Sequence, residues 1–436
     1  MIRPSVFLCL GISSALALDA YGADVTLQWD FSQPGVAGFA FYCGDASRSY
    51  KTRVDVGMAP SYKLTLQEGI LSFCAVTAYD ANATESTFSS EVGLFVRADT
   101  HQVQTLPVFS VLANGGVTPT ATGVQVQFTL PFDPSLLNLY GASQPAPDIT
   151  LVGANSGLVA GSVVVSSDHQ GFTYVKTGGV LETDTYALTI ANRRDSVVDG
   201  FGRTLEPNGA MGSDYSVSFR VEPSNSPVLS IDEFARGPGQ PVNLPAIDPA
   251  AGIPVRITKG AAVQDVAFTV RYNPALLTVD RINLDKAIVG RLSLASIDAS
   301  AGILRVQVTG ISGLTDASTV LVRLSGHVPA DAPYRTQHIL DIQDLAFNSG
   351  ALGGRDDDGL HVVAMIGDTS GMQFYSSYDA LLIQFVVVGA DSGFDAFPLT
   401  DPTIVGDVNY SGRLDSNDAL LIQLKIVGES VPQIPD

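Results

Sequence analysis

Basic residues are scarce in this sequence: 24 Lys and Arg stand against 44 Asp and Glu, for a net charge of −20. With no Lys/Arg cluster able to neutralise phosphates, nucleic acid is excluded as a partner. Long apolar runs are missing too, and no stretch after the N-terminus reaches the ~18 uninterrupted residues of a membrane span. Tryptophan occurs once, at Trp29, which leaves little for a flat aromatic platform on which sugar rings could stack. Catalytic motifs are absent: there is no H-E-x-x-H, no G-x-S-x-G and no paired-carboxylate signature. The histidines, His101, His169, His327, His338 and His361, are scattered. Asp168-His169 sits in a polar stretch that reads as a solvated turn. Glycine-rich segments follow turn logic, and none leads from a strand into a helix as a phosphate loop must. No catalytic residue is assigned.

What is present begins with a leader. Residues 1–22 carry Arg3, the apolar run Val6-Phe7-Leu8-Cys9-Leu10 and a small-residue stretch to Ala17, the pattern of a secretory signal peptide. Cleavage after Ala17 or after Gly22 both fit, and Leu8 is too large to precede a lipidated Cys9. Export to an oxidising exterior leaves Cys43 and Cys74 as an even pair.

The most informative stretch is the last seventy residues. Gly367-Asp368 to Gly389 reappears as Gly406-Asp407 to Gly428, and both copies contain Asp-Ala-Leu-Leu-Ile-Gln, at Asp379 to Gln384 and Asp418 to Gln423. An internal repeat of this length outweighs any single motif. In the second copy Asp407, Asn409, Ser411, Asp415 and Asp418 occupy the first, third, fifth, ninth and twelfth places of an EF-hand-type loop, Gly412 allows the turn at the sixth, and Arg413 offers its carbonyl at the seventh. Ca²⁺ wants six to eight hard oxygens, and alternate side chains of a tight loop converge on one point. In the first copy Asp368, Ser370, Ser376 and Asp379 hold the liganding places, but Met372 takes the fifth and Gln373 replaces the glycine, so this site is expected to be the weaker.

These paired loop-and-helix segments resemble the two repeats of a dockerin domain. The resemblance implies loops that keep the exiting helix and lose the entering one, Ca²⁺ as the cofactor, and a cohesin-bearing protein as the partner. The places matching the family's recognition pair are Ser377-Tyr378 and Ser416-Asn417. Residues 364–436 are expected to form this tail as a unit of its own. Its first helix is apolar nearly all round, which predicts a flank left over for a partner.

Upstream, strand patterning dominates. Val25-Thr26-Leu27-Gln28-Trp29, Phe39 to Cys43 and Leu71 to Tyr79 alternate as half-buried antiparallel strands do. With Leu66-Gln67-Glu68-Gly69, Cys74 to Asp80 and Ser89-Ser90-Glu91-Val92, residues 23–98 resemble a fibronectin type III domain with Trp29 as its core tryptophan; Ser72 stands where that family has a corner tyrosine. The resemblance makes the strands of Cys43 and Cys74 neighbours, leaving either a disulfide or two buried thiols. Residues 99–222, with Asn114-Gly115 as a turn signal and Phe132-Asp133-Pro134-Ser135-Leu136-Leu137, resemble bacterial Ig-like spacers. Pro223 to Pro245 reads as a linker opening the segment 223–363. There Val263 to Leu277, ending Tyr272-Asn273-Pro274-Ala275-Leu276-Leu277, and Ala346-Phe347-Asn348-Ser349-Gly350 are similar to the cohesin signature. The match from Val228 to Val363 implies a nine-stranded jelly roll, with a carbohydrate-binding sandwich as the alternative. Arg355-Asp356-Asp357-Asp358-Gly359 reads as an exposed loop, with a further calcium site as the alternative, although consecutive aspartates cannot all point at one ion.

The expectation is therefore a mostly β, multidomain chain of tandem sandwiches ending in a small helical calcium tail. It would be a secreted, non-catalytic adaptor that assembles with cohesin- or dockerin-bearing proteins. The alternative is an accessory subunit that grips polysaccharide for a hydrolase.

Overall fold

The computed structural model describes residues 7–9, 22–30, 35–97, 102–141, 146–205, 213–247 and 252–435. Of the expected leader, only Gly22 and the backbone of Phe7–Cys9 are described, the latter running antiparallel beside Gly22–Asp30. The remainder of the leader and His101 lie outside the described residues. The described residues are mostly β, with three α-helices among them, all near the C-terminus.

In the first module the alternating segments form two facing sheets. One pairs Gly22–Asp30 with Ser61–Gln67; the other runs Thr52–Gly57, Gly38–Gly44, Leu71–Tyr79, Val92–Val96, Val103–Thr105. Trp29 is buried between them, its ring 5.9 Å from that of Phe39 and 6.5 Å from that of Phe41. Cys43 and Cys74 are directly opposed in the register and joined as a disulfide, with Cα atoms 4.2 Å apart. The strand Val103–Thr105 carries the sheet beyond residue 98, so the pairing continues past the expected boundary.

The second module has two four-stranded sheets around a core that includes Phe128, Phe172 and Leu188. The turn at Asn114-Gly115 is formed with Gly115 at φ 71°. Asp168 and His169 lie exposed in a turn, as expected.

The third module corrects two expectations. The supposed linker Pro223 to Pro245 contains two strands, Val228–Ile231 and Phe234–Arg236, whose Leu229, Ile231 and Phe234 enter the sandwich core. Arg355-Asp356-Asp357-Asp358-Gly359 is likewise no exposed loop: Arg355–Asp357 is a strand and Asp357 is buried. Composition misled in both places because proline, glycine and charge flank or interrupt short strands that tertiary contacts bury. Val228–Ile231 pairs in parallel with Arg355–Asp357 in one sheet, and Phe234–Arg236 with Gly359–Val363 in the other. The first and last segments thus cross between sheets at Asp232-Glu233 and at Asp358. If each crossing segment is taken as one strand, the expected nine remain. In the six-stranded sheet the order is Phe234–Arg236, Gly359–Val363, Gln337–Phe347, Val266–Arg271, Ile303–Ser312, Val289–Asp298.

The crossings bring acids into the seam with the second module. Gly178 N donates to Glu233 at 3.2 Å, Asp358 N donates to Thr122 Oγ1 at 3.1 Å, and Arg355 donates to the Leu181 carbonyl at 2.8 Å. Burial pushes the Asp357 carboxyl up to about 8, with Glu233 adding to the shift, and pushes Asp358 and Glu233 to about 7. Lys176 opposes the shift at Asp357 and Glu233, but its ammonium is already bound by the carbonyls of Thr177, Gly178 and Gly179. A carboxyl that titrates higher when folded contributes stability in acid and loses it as pH rises through its folded value. Raising the pH from 6.5 to 8.5 should therefore lower the melting temperature, Asp357 alone contributing the equivalent of about 2 kcal/mol. Asp357→Asn should flatten this slope in calorimetry; an unchanged slope would show that the seam does not set it.

Candidate metal and docking site

The two repeats form the same object twice. Each loop feeds an eleven-residue helix, α1 at Ser377–Val387 and α3 at Ser416–Ile426. The shared Ala-Leu-Leu-Ile spacing buries Ala380 and Ile383 of α1 and Ala419 and Ile422 of α3. The entrances differ. A one-turn helix, α2 at Pro402–Gly406, precedes the second loop, capped by Asp401, which accepts from Thr403 N at 2.9 Å. The first loop follows the sandwich strand Gly359–Val363 directly. The expected loss of the entering helix thus holds for the first copy, while the second keeps a single turn.

Inside the loops the hydrogen bonds repeat position by position. Asp407 accepts from Ser411 N at 2.9 Å and from Gly412 N at 2.6 Å, and Asp418 accepts from Asn409 N at 3.1 Å and Asp415 N at 2.9 Å. In the first loop Asp368 accepts from Met372 N at 3.0 Å and Gln373 N at 2.7 Å, and Asp379 from Ser370 N and Ser376 N, both at 2.8 Å. Losing the sixth-place glycine does not cost the turn. Gln373 adopts φ 65° where Gly412 has 82°, and Gly371 at 66° stands where the second loop has Tyr410 at 57°.

The donor chemistry separates the copies. In the second loop Asn409 Oδ1 is buried with no hydrogen-bond partner, an orphan at the third liganding place. Burial, together with the neighbouring Asp407 and Asp415 charges, raises the Asp418 carboxyl, and burial raises Asp407. Ser411 Oγ bonds the Arg413 carbonyl at 3.0 Å, so fifth- and seventh-place oxygens lie together. Among the described residues no three carboxylate, imidazole or thiol side chains gather as a metal cluster. The oxygens of this loop are instead mixed, carboxylate, amide, hydroxyl and carbonyl, which is the donor set Ca²⁺ accepts. The second loop therefore fits the ion. In the first, the Asp368 carboxylate also accepts from Ser370 Oγ at 3.2 Å and from the Tyr334 hydroxyl. Four donors match the roughly four acceptor sites of a carboxylate, so this loop fits the ion poorly.

The tail is not the separate unit expected. Its core is continuous with the outer face of the third module: Ala235, Leu360, Val362 and Ala364 pack with Ala380, Ile383, Phe394, Val405, Ala419 and Ile422. The strand Gly359–Val363 is buried along its whole length, with Leu360 and Val362 toward the tail and Val363 in the sandwich core. Polar contacts add to this. Gln337 donates to the Val163 carbonyl at 2.6 Å and accepts from Thr400 Oγ1 at 2.9 Å, and Val163 N donates to the Leu399 carbonyl at 2.8 Å, so all three units meet there.

The recognition places are on the surface. Ser377, Tyr378, Ser416 and Asn417 are all exposed, with Ser416 Oγ 3.5 Å from Gln384 Oε1. Along α1 and its C-cap residue Val388, Tyr378, Leu381, Phe385 and Val388 form an exposed stripe at helical spacing, flanked by Met372 and Phe374. The equivalent places of the second copy read Asn417, Leu420, Leu424, Val427, Ser411 and Arg413, a more polar set.

Sequence reasoning missed a second constellation, a buried pair of imidazoles. Asn273 N donates to His338 Nδ1 at 3.0 Å, which makes His338 Nε2 the donor to His361 Nδ1 at 3.0 Å and His361 Nε2 the donor to the Arg236 carbonyl at 3.3 Å. Both rings are neutral, since burial drives His338 down to about 3 and His361 well below its usual value. Only the alternation of strand Gln337–Phe347 hinted that His338 points inward. The chain of bonds is structural and leaves no face for a substrate.

No protein-family model matches this chain, and no curated protein matches it. Among solved structures it is similar to the third ScaC cohesin of Acetivibrio cellulolyticus, solved in complex with the ScaB dockerin, at 14% identity and TM-score 0.25, over 32% of this chain and 99% of that one. A type II cohesin domain from the cellulosome of the same organism aligns at 13% identity and TM-score 0.24, over 32% and 96%. Native alpha-2-macroglobulin of Escherichia coli aligns at 16% identity and TM-score 0.20, over 60% and 72%. Likenesses of this size carry no argument about this chain, whose modules are read from their own topology and side chains.

Because the core is shared, Ile383→Ala should destabilise the tail by about 2–5 kcal/mol and expose it to limited proteolysis from the intact chain. A variant whose tail resists protease like the parent would rule out a common core.

Proposed function

We propose that this chain is an exported, non-catalytic adaptor whose calcium-bearing, dockerin-like tail presents a helix face to a cohesin module on another protein. The observation that carries the reading is the exposed stripe of Tyr378, Leu381, Phe385 and Val388 along α1 and its C-cap, flanked by Phe374. An apolar patch of this kind, rimmed by polar residues, marks an interaction surface, and aromatic anchors are enriched among residues that dominate binding energy. Calcium would be held by Asp407, Asn409, Ser411, Asp415 and Asp418 with the Arg413 carbonyl, fixing the start of α3, which packs on α1. No described helix is long and apolar enough to cross a membrane.

The cohesin-like reading of the third module rests on its crossing strands and its two-sheet order. The first module's sheet pairing supports the fibronectin-like reading; the first and second modules would act as spacers, and the cohesin-like module would accept a dockerin or a glycan. Trp29 is buried, which favours a protein partner over a glycan, since the one indole cannot stack on sugar.

Tyr378→Ala should weaken capture of a cohesin module by ~1–3 kcal/mol in surface plasmon resonance while leaving the melting temperature in calcium unchanged, and Asn417→Ala should do less. The opposite order would move recognition to the second copy. In the full chain, millimolar calcium should raise the melting temperature of the parent but not of Asp418→Asn; a parent indifferent to both calcium and EDTA would end the calcium reading.

A further inference from the structure

The two loops share a backbone but not a neighbourhood. Both loops are exposed at their fifth to seventh places, Met372 to Phe374 and Ser411 to Arg413, but the second is self-contained: the donors to Asp407 all come from its own loop, Ser411, Gly412 and Arg413. The first lies against the sandwich, where the Tyr334-Arg335 turn leans on it. The Tyr334 hydroxyl accepts from Met365 N at 2.9 Å and donates to Asp368 Oδ2. Arg335 anchors the other side, with Nε and Nη2 donating to the Gly371 carbonyl at 3.1 and 2.7 Å. Its own backbone N donates to the Val363 carbonyl at 2.9 Å, which ties this turn to the last sandwich strand. Asp368 and Asp379 are both fully buried. All the lone pairs of Asp368 that a cation could use are taken by protein donors, whereas the second loop holds the orphaned Asn409 Oδ1. Met372 at the fifth place removes one further oxygen, and Ser370, at the third, turns its hydroxyl to Asp368 rather than leaving it free.

We propose that the first loop is a metal-independent clasp, closed by Tyr334 and Arg335 of the sandwich, and that the chain binds a single calcium ion, in the second loop. The first repeat then has a different task from the second. It fixes α1 and its exposed stripe to the sandwich whether or not calcium is present, while the ion orders only the loop that starts α3. The count of one ion rests on the calcium reading of the second loop; the clasp itself does not.

The test uses the full chain. Calorimetric titration with calcium chloride should give one ion per chain for the parent and for Asp379→Asn, and none for Asp418→Asn. Hydrogen exchange should show EDTA speeding the amides of 407–418 about tenfold or more while leaving those of 368–379 unchanged. Tyr334→Phe, which keeps the ring and removes the hydroxyl, should speed exchange at Met372 and Gln373 about tenfold, the loss of one hydrogen bond to a charged acceptor, without altering calcium affinity. Two ions per chain, a lowered count in Asp379→Asn, or EDTA deprotecting both loops alike would overturn the proposal. Should the parent bind no calcium, the reading of the second loop fails, and Tyr334→Phe alone decides the clasp: faster exchange upholds it, unchanged exchange refutes it.

Discussion

The third module and the tail depend on one strand that has no free face. Gly359–Val363 lies second from the edge of the six-stranded sheet, between Phe234–Arg236 and Gln337–Phe347, and at the same time floors the helical tail. Its side chains alternate between two cores, Val363 in one, Leu360 and Val362 in the other. Each fully buried valine or leucine contributes about 1.5–3 kcal/mol relative to exposure, so removing the tail would strip the outer face of the sheet and leave an apolar patch in water. The loop-helix repeats are thus ordered by the sandwich as well as by their own contacts.

That arrangement explains the division within the repeat. Identical helix cores, Ala380 with Ile383 and Ala419 with Ile422, pair α1 and α3, and the loops keep the same backbone bonds. The surroundings then diverge. The first loop is held by a phenol and a guanidinium from the neighbouring module, and the second by its own residues around an unpaired amide oxygen. A repeat anchored by protein is free to carry a more apolar outer face, and α1 does so.

The seam between the second and third modules follows from the same topology. Where a strand must cross from one sheet to the other, the backbone leaves the ladder, and here acids occupy both crossings, Asp232-Glu233 and Asp358. Packing against the turn at Thr177 to Gly179 takes water from Glu233 and Asp357, so their charge is disfavoured. The buried imidazoles of His338 and His361 show the converse, a neutral chain whose tautomers are set by one backbone donor at Asn273.

Much of this was written locally. The repeat, the starts of α1 and α3, the liganding places, the buried Trp29 and the alternating strands all follow from periodicity and loop spacing, because such signals need only near neighbours in the chain. The pairing of Cys43 with Cys74 was half legible, since the fibronectin-like resemblance made their strands neighbours but the register came from the assembled sheet. Composition misjudged Val228 to Arg236 and Arg355 to Asp358, where proline, glycine and charge conceal strands held by partners more than a hundred residues away. The clasp at Asp368 had no signal, and for the imidazole pair only the inward place of His338 was hinted at, as Tyr334 and Arg335, like His361 for His338, are brought in by sheet topology. Spacing along the chain determined which oxygens could meet in each loop; only the tertiary structure decided which of them were already satisfied.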